Sequence, residues 1–77
     1  MRIIDTIEHP ILRISIFEMN QKYIVKFELG ALEQSFKFSE LDIINLEILK
    51  ADVAEKIIPN VLLRFEEMQK DLHNCLG

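Results

Sequence analysis

The sequence predicts an α+β fold, a three-stranded antiparallel β-meander over residues 11–38 with a long C-terminal helix packed on one face. Three observations predict it: two short turn signals, Asn20-Gln21 and Gly30-Ala31; strict alternation of apolar and polar side chains on either side of them; and a change to helical periodicity in the last third of the chain.

With two-residue turns at both sites, Ile16 lies opposite Val25, Ile14 opposite Phe27 and Leu12 opposite Leu29. Across the second hairpin Leu29 meets Leu32, Val25 meets Phe36 and Tyr23 meets Phe38. All of these side chains then share one face, and a one-residue slip in either hairpin would send half of them to the other. Gly30 suits the first central position of a type II′ turn, which requires positive φ, and Asn20 tolerates the same conformation. The opposite face carries Arg13, Ser15, Phe17, Lys22, Ile24, Lys26, Glu28, Glu33, Ser35 and Lys37, mostly polar, as expected of an antiparallel sheet with one wet face. Its one apolar cross-strand pair is Phe17 with Ile24. The same register sets Glu28 against Glu33, a like-charge pair that Arg13 flanks on the other side.

Ahead of the meander, Ile3, Ile4 and Ile7 form a candidate fourth, edge strand that stops at His9-Pro10, since proline cannot donate to a ladder. After it, Ser39-Glu40-Leu41-Asp42 has the form of a helix start, a serine N-cap with an acid three places on. Residues 43–49 are ambiguous: Ile44, Leu46 and Ile48 alternate like a strand, whereas Leu41, Ile44, Ile48 and Leu49 fit a helical face, and short helical structure is the preferred reading. The final helix is expected to begin at an Asp52 N-cap and run to about Asn74. At about 100° per residue, Val53, Ala54, Ile57, Ile58, Val61, Leu62, Phe65, Met68, Leu72, Cys75 and Leu76 fill an arc of about 180°. Pro59 falls on the polar side, so one kinked helix is preferred to a break there, which would leave Ile58 as an N-cap without a side-chain acceptor. An arc this wide exceeds what one core needs, and Leu63 stands alone on the polar side.

The 77 residues make one domain, residues 1–38 the meander and 39–77 the helical half. A chain of this length buries only about 60% of its unfolded surface and commonly recruits disulfides, metals or oligomerisation. Cys75 is the one cysteine, so no intrachain disulfide forms and a cytoplasmic location is expected. The apolar run at the amino terminus is too short for a signal peptide, and no segment approaches a membrane span. Net charge is −4; residues 1–38 hold five basic and five acidic side chains, residues 39–77 four and eight. The acidic helical half works against phosphate binding there.

No catalytic, cofactor-binding or metal-binding residue is predicted, and the chain reads as no enzyme. His73 and Cys75, with His9, lack the ligand number and spacing of a zinc site. Cys75 lies on the apolar arc as a small packed hydrophobe, with His73 about 160° around the helix and badly placed as a base. Glu66, Glu67 and Asp71 belong to a solvated face, with Glu66 and Lys70 an i,i+4 pair. Gly30 and Gly77 are the only glycines, which leaves no phosphate loop.

The segments Thr6-Ile7-Glu8-His9-Pro10, Lys22-Tyr23-Ile24-Val25-Lys26-Phe27-Glu28, Glu33-Gln34-Ser35-Phe36-Lys37-Phe38-Ser39-Glu40 and Arg64-Phe65-Glu66-Glu67-Met68 resemble those of a small uncharacterised bacterial protein family, found mostly in Bacteroidota. The resemblance spans nearly the whole chain and implies a small intracellular protein; its motifs are packing and turn patterns that carry no active site.

The leading functional expectation is a non-enzymatic interaction module that self-associates as a homodimer through the open sheet face or the unused part of the helix arc, with Phe17, Ile24 and Leu63 as the candidate interaction surface. Two alternatives remain. Phe17 among Arg13, Lys22, Lys26 and Lys37 could stack and hold single-stranded nucleic acid. A small-ligand site could form between subunits, near His9.

Overall fold

A computed structural model describes residues 2–76; Met1 and Gly77 lie outside the described residues. Four strands, β1 (Arg2–Ile7), β2 (Arg13–Met19), β3 (Lys22–Leu29) and β4 (Leu32–Ser39), form one antiparallel sheet in the order β1-β2-β3-β4. The expected meander is present and the candidate fourth strand is real. Ile14 pairs with Phe27, Ile16 with Val25, Tyr23 with Phe38, Val25 with Phe36 and Leu29 with Leu32. Leu12 precedes the first rung, Arg13–Glu28, yet is buried in the core. In β1 a bulge between Ile3 and Asp5 keeps Ile3 on the open face opposite Phe17, while Ile4 and Ile7 pack against the core.

The two hairpins turn differently. Gly30 has φ 60°, and Ala31 is not at positive φ, the pattern expected for type II′. Asn20 and Gln21 are both at positive φ, 51° and 62°, the signature of type I′. Gln21 therefore adopts a left-handed conformation that its Cβ disfavours, in a turn whose usual second residue is glycine.

After β4, Ser39 Oγ accepts from Leu41 N–H and caps a single 3₁₀ turn, Glu40–Asp42. The helix begins earlier than the Asp52 cap predicts. Asn45 is the N-cap, its side chain accepting from Ile48 N–H at 2.9 Å, and α1 (Leu46–Asp52) continues without a break through a π turn (Val53–Ile57) into α2 (Ile58–Leu76). Asp52 makes no side-chain cap bond. Leu41 and Ile44, placed on a helical face by their spacing, lie ahead of this helix and are exposed.

The π turn explains how one helix passes through Pro59. Proline lacks the N–H that would bond to Glu55, and its ring crowds that carbonyl. Here the preceding turn is widened: Ile58 N–H bonds to Val53 O, five residues back. The widening also resets the helical phase. On a regular helix the buried residues Leu49, Val53, Ile58, Val61 and Phe65 would spread over about 180°. One additional residue turns everything after Ile57 back by about 100°, and the same five fall within about 80°. The wide apolar arc read from the sequence is thus a narrower stripe interrupted once, and Ala54, placed on that arc, is exposed.

These five residues cover Ile14, Ile16, Val25 and Phe27 of the two central strands. Lys50 Nζ reaches Asp5 of β1 at 2.9 Å, while Gln34 Nε2 of β4 donates to Val61 O at 3.1 Å and the Arg64 guanidinium lies 5.9 Å from the Phe36 ring centroid. The helix therefore crosses the sheet from β1 to β4. Its buried residues end at Phe65, and residues 69–76 are exposed.

Two measurements test these assignments. Gln21→Gly should raise stability by about 0.5–1 kcal/mol in urea denaturation; a loss would mean that the Gln21 side chain contributes more than its backbone conformation costs. In a Pro59→Ala background, deletion of Ala54 should change stability by no more than about 1 kcal/mol, because a regular helix then keeps the stripe in phase. A loss of about 3 kcal/mol or more, the scale of a large core truncation, would refute the phase-reset role of the π turn.

Candidate interaction surfaces

Phe17 and Ile24 pair on the open face of the sheet, as the register requires, with Ile3 beyond Phe17 on β1 and Lys37 beyond Ile24 on β4. Ile24 is only 8% exposed, so Ile3 and Phe17 are what this patch presents. Leu63 is 61% exposed on the outer side of α2. The helix covers the other face of the sheet, so Leu63 and Phe17 lie on opposite sides of the molecule and do not form one surface.

The basic side chains of the open face are interleaved with acids. Lys26 Nζ sits 3.4 Å from Glu33, across the β3–β4 ladder, and so relieves the Glu28–Glu33 pair diagonally, while Arg13 faces Glu28 from β2. An uninterrupted cationic track of the kind that follows a nucleic-acid backbone is not what this face offers.

His9 has a structural task. Its Nδ1 accepts from Ile11 N–H at 3.2 Å and Leu12 N–H at 3.1 Å, closing the β1–β2 connection that Pro10 interrupts. Cys75 is exposed near the helix end instead of packed within a core. Among the described residues no three His, Cys, Asp or Glu side chains are grouped to hold a metal ion, and no helix is long and apolar enough to cross a membrane.

Two charged pairs join residues far apart in sequence. The Lys50 ammonium, hydrogen-bonded to Asp5 with help from Thr6 N–H, holds the Asp5 carboxyl below its ordinary range, and Asp5 in turn raises Lys50. Where β4 ends, the Glu40 carboxyl comes beside that of Glu18, and this neighbour, which favours a proton on the pair, raises Glu40. Neither pair is legible before the register and the helix path are known.

The surface that sequence reasoning passed over lies at β4. As the last strand of a meander it is an edge, and its helix-side residues Leu32, Phe36 and Phe38 are only half-buried. Phe36 meets Phe27 edge-on, at 6.0 Å and 88°, and stacks on Phe38 at 6.5 Å. Beyond Phe65 the helix carries Met68, Leu72 and Cys75, which with Leu32 and Asp71 line a shallow, mainly apolar groove at this edge. The signal was available in the strand order: a meander always leaves its last strand unpaired on one side.

No family model, curated protein or solved structure matches the chain.

The Asp5–Lys50 pair gives a pH dependence. Asp5 titrates lower folded than unfolded, so its contribution is complete above about pH 4 and is lost as pH falls through the folded value. Lys50, raised on folding, contributes below about pH 10 and loses its effect as pH rises through its folded value. Glu40 acts in the opposite sense to Asp5, since a raised carboxyl favours the folded state at low pH. Asp5→Asn should therefore flatten the acid limb of the thermal-stability profile; an unchanged limb would show that the pair contributes nothing in solution.

Proposed function

We propose that the chain is a non-enzymatic interaction module of the cytoplasm that works as a homodimer. One observation carries this reading: the helix continues past the sheet. Its last turns bear Met68, Leu72, Cys75 and Leu76, the last 78% exposed, and Leu32, Phe36 and Phe38 on the adjacent strand are incompletely covered. In so short a chain the core is small, and apolar surface left at the end of a regular helix and on a neighbouring edge strand is most simply covered by another protein surface. A second copy brings the same surface in matching form, which is why closed two-fold dimers dominate among oligomers. The single exposed cysteine suits a reducing compartment.

The test is the mass in solution by sedimentation across a dilution series from millimolar to sub-micromolar chain. A reversible dimer is expected. A monomer at every concentration would reject the homodimer, and the exposed helix end would then belong to a different partner. Leu63→Glu and Phe17→Ser, run beside the parent, report whether the outer helix face or the open sheet face takes part.

A further inference from the structure

We propose that β4 pairs antiparallel with β4 of a second copy about a two-fold axis through Ser35, giving a continuous eight-stranded sheet in which Glu33 of each chain faces the partner's Lys37. This names the surface for the self-association proposed above and rests on that reading.

The edge is suited to pairing. β4 is eight residues long with an unshifted register against β3 and no proline, whereas β1 is bulged between Ile3 and Asp5 and is followed by Pro10. In a two-residue hairpin the closing pair, here Leu29–Leu32, is hydrogen-bonded, and such pairs alternate along the ladder. Gln34, Phe36 and Phe38 thus turn their backbone groups toward β3. The bond from Glu40 N–H to Gln21 O, 3.0 Å, continues the same alternation beyond the strand. Glu33, Ser35 and Lys37 consequently aim their N–H and C=O groups away from the sheet, free to make a second ladder.

Charge selects the register. A symmetric antiparallel pair that keeps side-chain faces matched must centre on a residue. Centred on Lys37, it opposes two lysines; centred on Glu33, it opposes two glutamates. Centring on Gln34 or Phe36 sets each charge against a neutral residue. Centring on Ser35 alone sets Glu33 against the partner's Lys37, twice over. The row across the open face then reads Arg13, Glu28, Glu33 and the partner's Lys37, so the Glu28–Glu33 pair acquires a cation on each side. Among the described residues Lys37 has no ion-pair partner within the chain, while Glu33 has the 3.4 Å contact with Lys26 that leaves its edge side open.

The helix side agrees with this register. Leu32 comes opposite the partner's Phe38 and Gln34 opposite the partner's Phe36. The groove of Leu32, Met68, Leu72 and Cys75 therefore lies beside the partner's Phe38, and the helix turns that pass beyond their own sheet find a second one to rest on.

The experiment measures the dimer dissociation constant by sedimentation for Glu33→Lys, Lys37→Glu and the double exchange. Each single variant should weaken the dimer by about tenfold or more, since both symmetric ion pairs become like-charged, and the double variant should recover the parent value to within about threefold. As a second measurement, Ser35→Cys in a Cys75→Ser background should form a covalent dimer under mild oxidation, because directly opposed Cα atoms about 5.5 Å apart can be bridged. Glu33→Cys in the same background should not, as its two copies would lie about 14 Å apart. A dimer indifferent to the charge variants and without the Ser35→Cys bridge overturns the β4 interface while leaving self-association standing. A monomer throughout overturns both.

Discussion

A four-stranded sheet has two faces, and among the described residues one long helix is there to cover one of them. Everything on the helix side depends on keeping that helix's apolar stripe in phase across the full width of the sheet, from Leu49 near β1 to Phe65 near β4. A regular helix with Pro59 inside it would fail twice, once at the ring and once in the direction of every side chain beyond it. The π turn at Val53–Ile57 answers both, because the same widening that moves the Glu55 carbonyl also retards the stripe by one residue. Helix phase and proline tolerance are one constraint here.

Much of the sheet was legible in advance because period-two alternation is unforgiving. With a two-residue turn at Asn20-Gln21, Ile14, Ile16, Val25 and Phe27 share a face, a one-residue slip would split them, and the observed rungs are the expected ones. The helix start is misplaced by local reading because Asp52-Val53-Ala54-Glu55 satisfies the pattern of a cap as well as Asn45 does. The deciding factor is that Leu46 and Leu49 find apolar partners on the sheet, which no local pattern records. The π turn is hidden for a related reason. Helical periodicity assumes a constant angle per residue, so an inserted residue appears as a broad arc instead of two narrow ones. That breadth imitates a second apolar surface.

For the surface residues the sequence was informative about faces and poor about exposure. Phe17 and Ile24 do share the open face, yet Ile24 is buried there between Phe17 and the lysines that flank it on β3 and β4, whose aliphatic stems can lie over it. Leu63 is as exposed as its position on the polar side required. The Asp5–Lys50 and Glu18–Glu40 pairs depend on where the helix lands and how β4 ends, and both are tertiary outcomes.

The order of elements along the chain has a consequence for synthesis. Every strand precedes the helix, so at about 5–20 residues per second the residues of the meander are joined a few seconds before the last turn of α2. A meander without its helix would leave the apolar face built from Ile14, Ile16, Val25 and Phe27 bare and both sheet edges open. Local hairpins form in microseconds, so the meander has ample time to assemble and equally ample time to meet a neighbour on the same message. Lys37 and Glu33 on the outer strand disfavour the edge pairings that oppose like charges, whether or not the helix is in place.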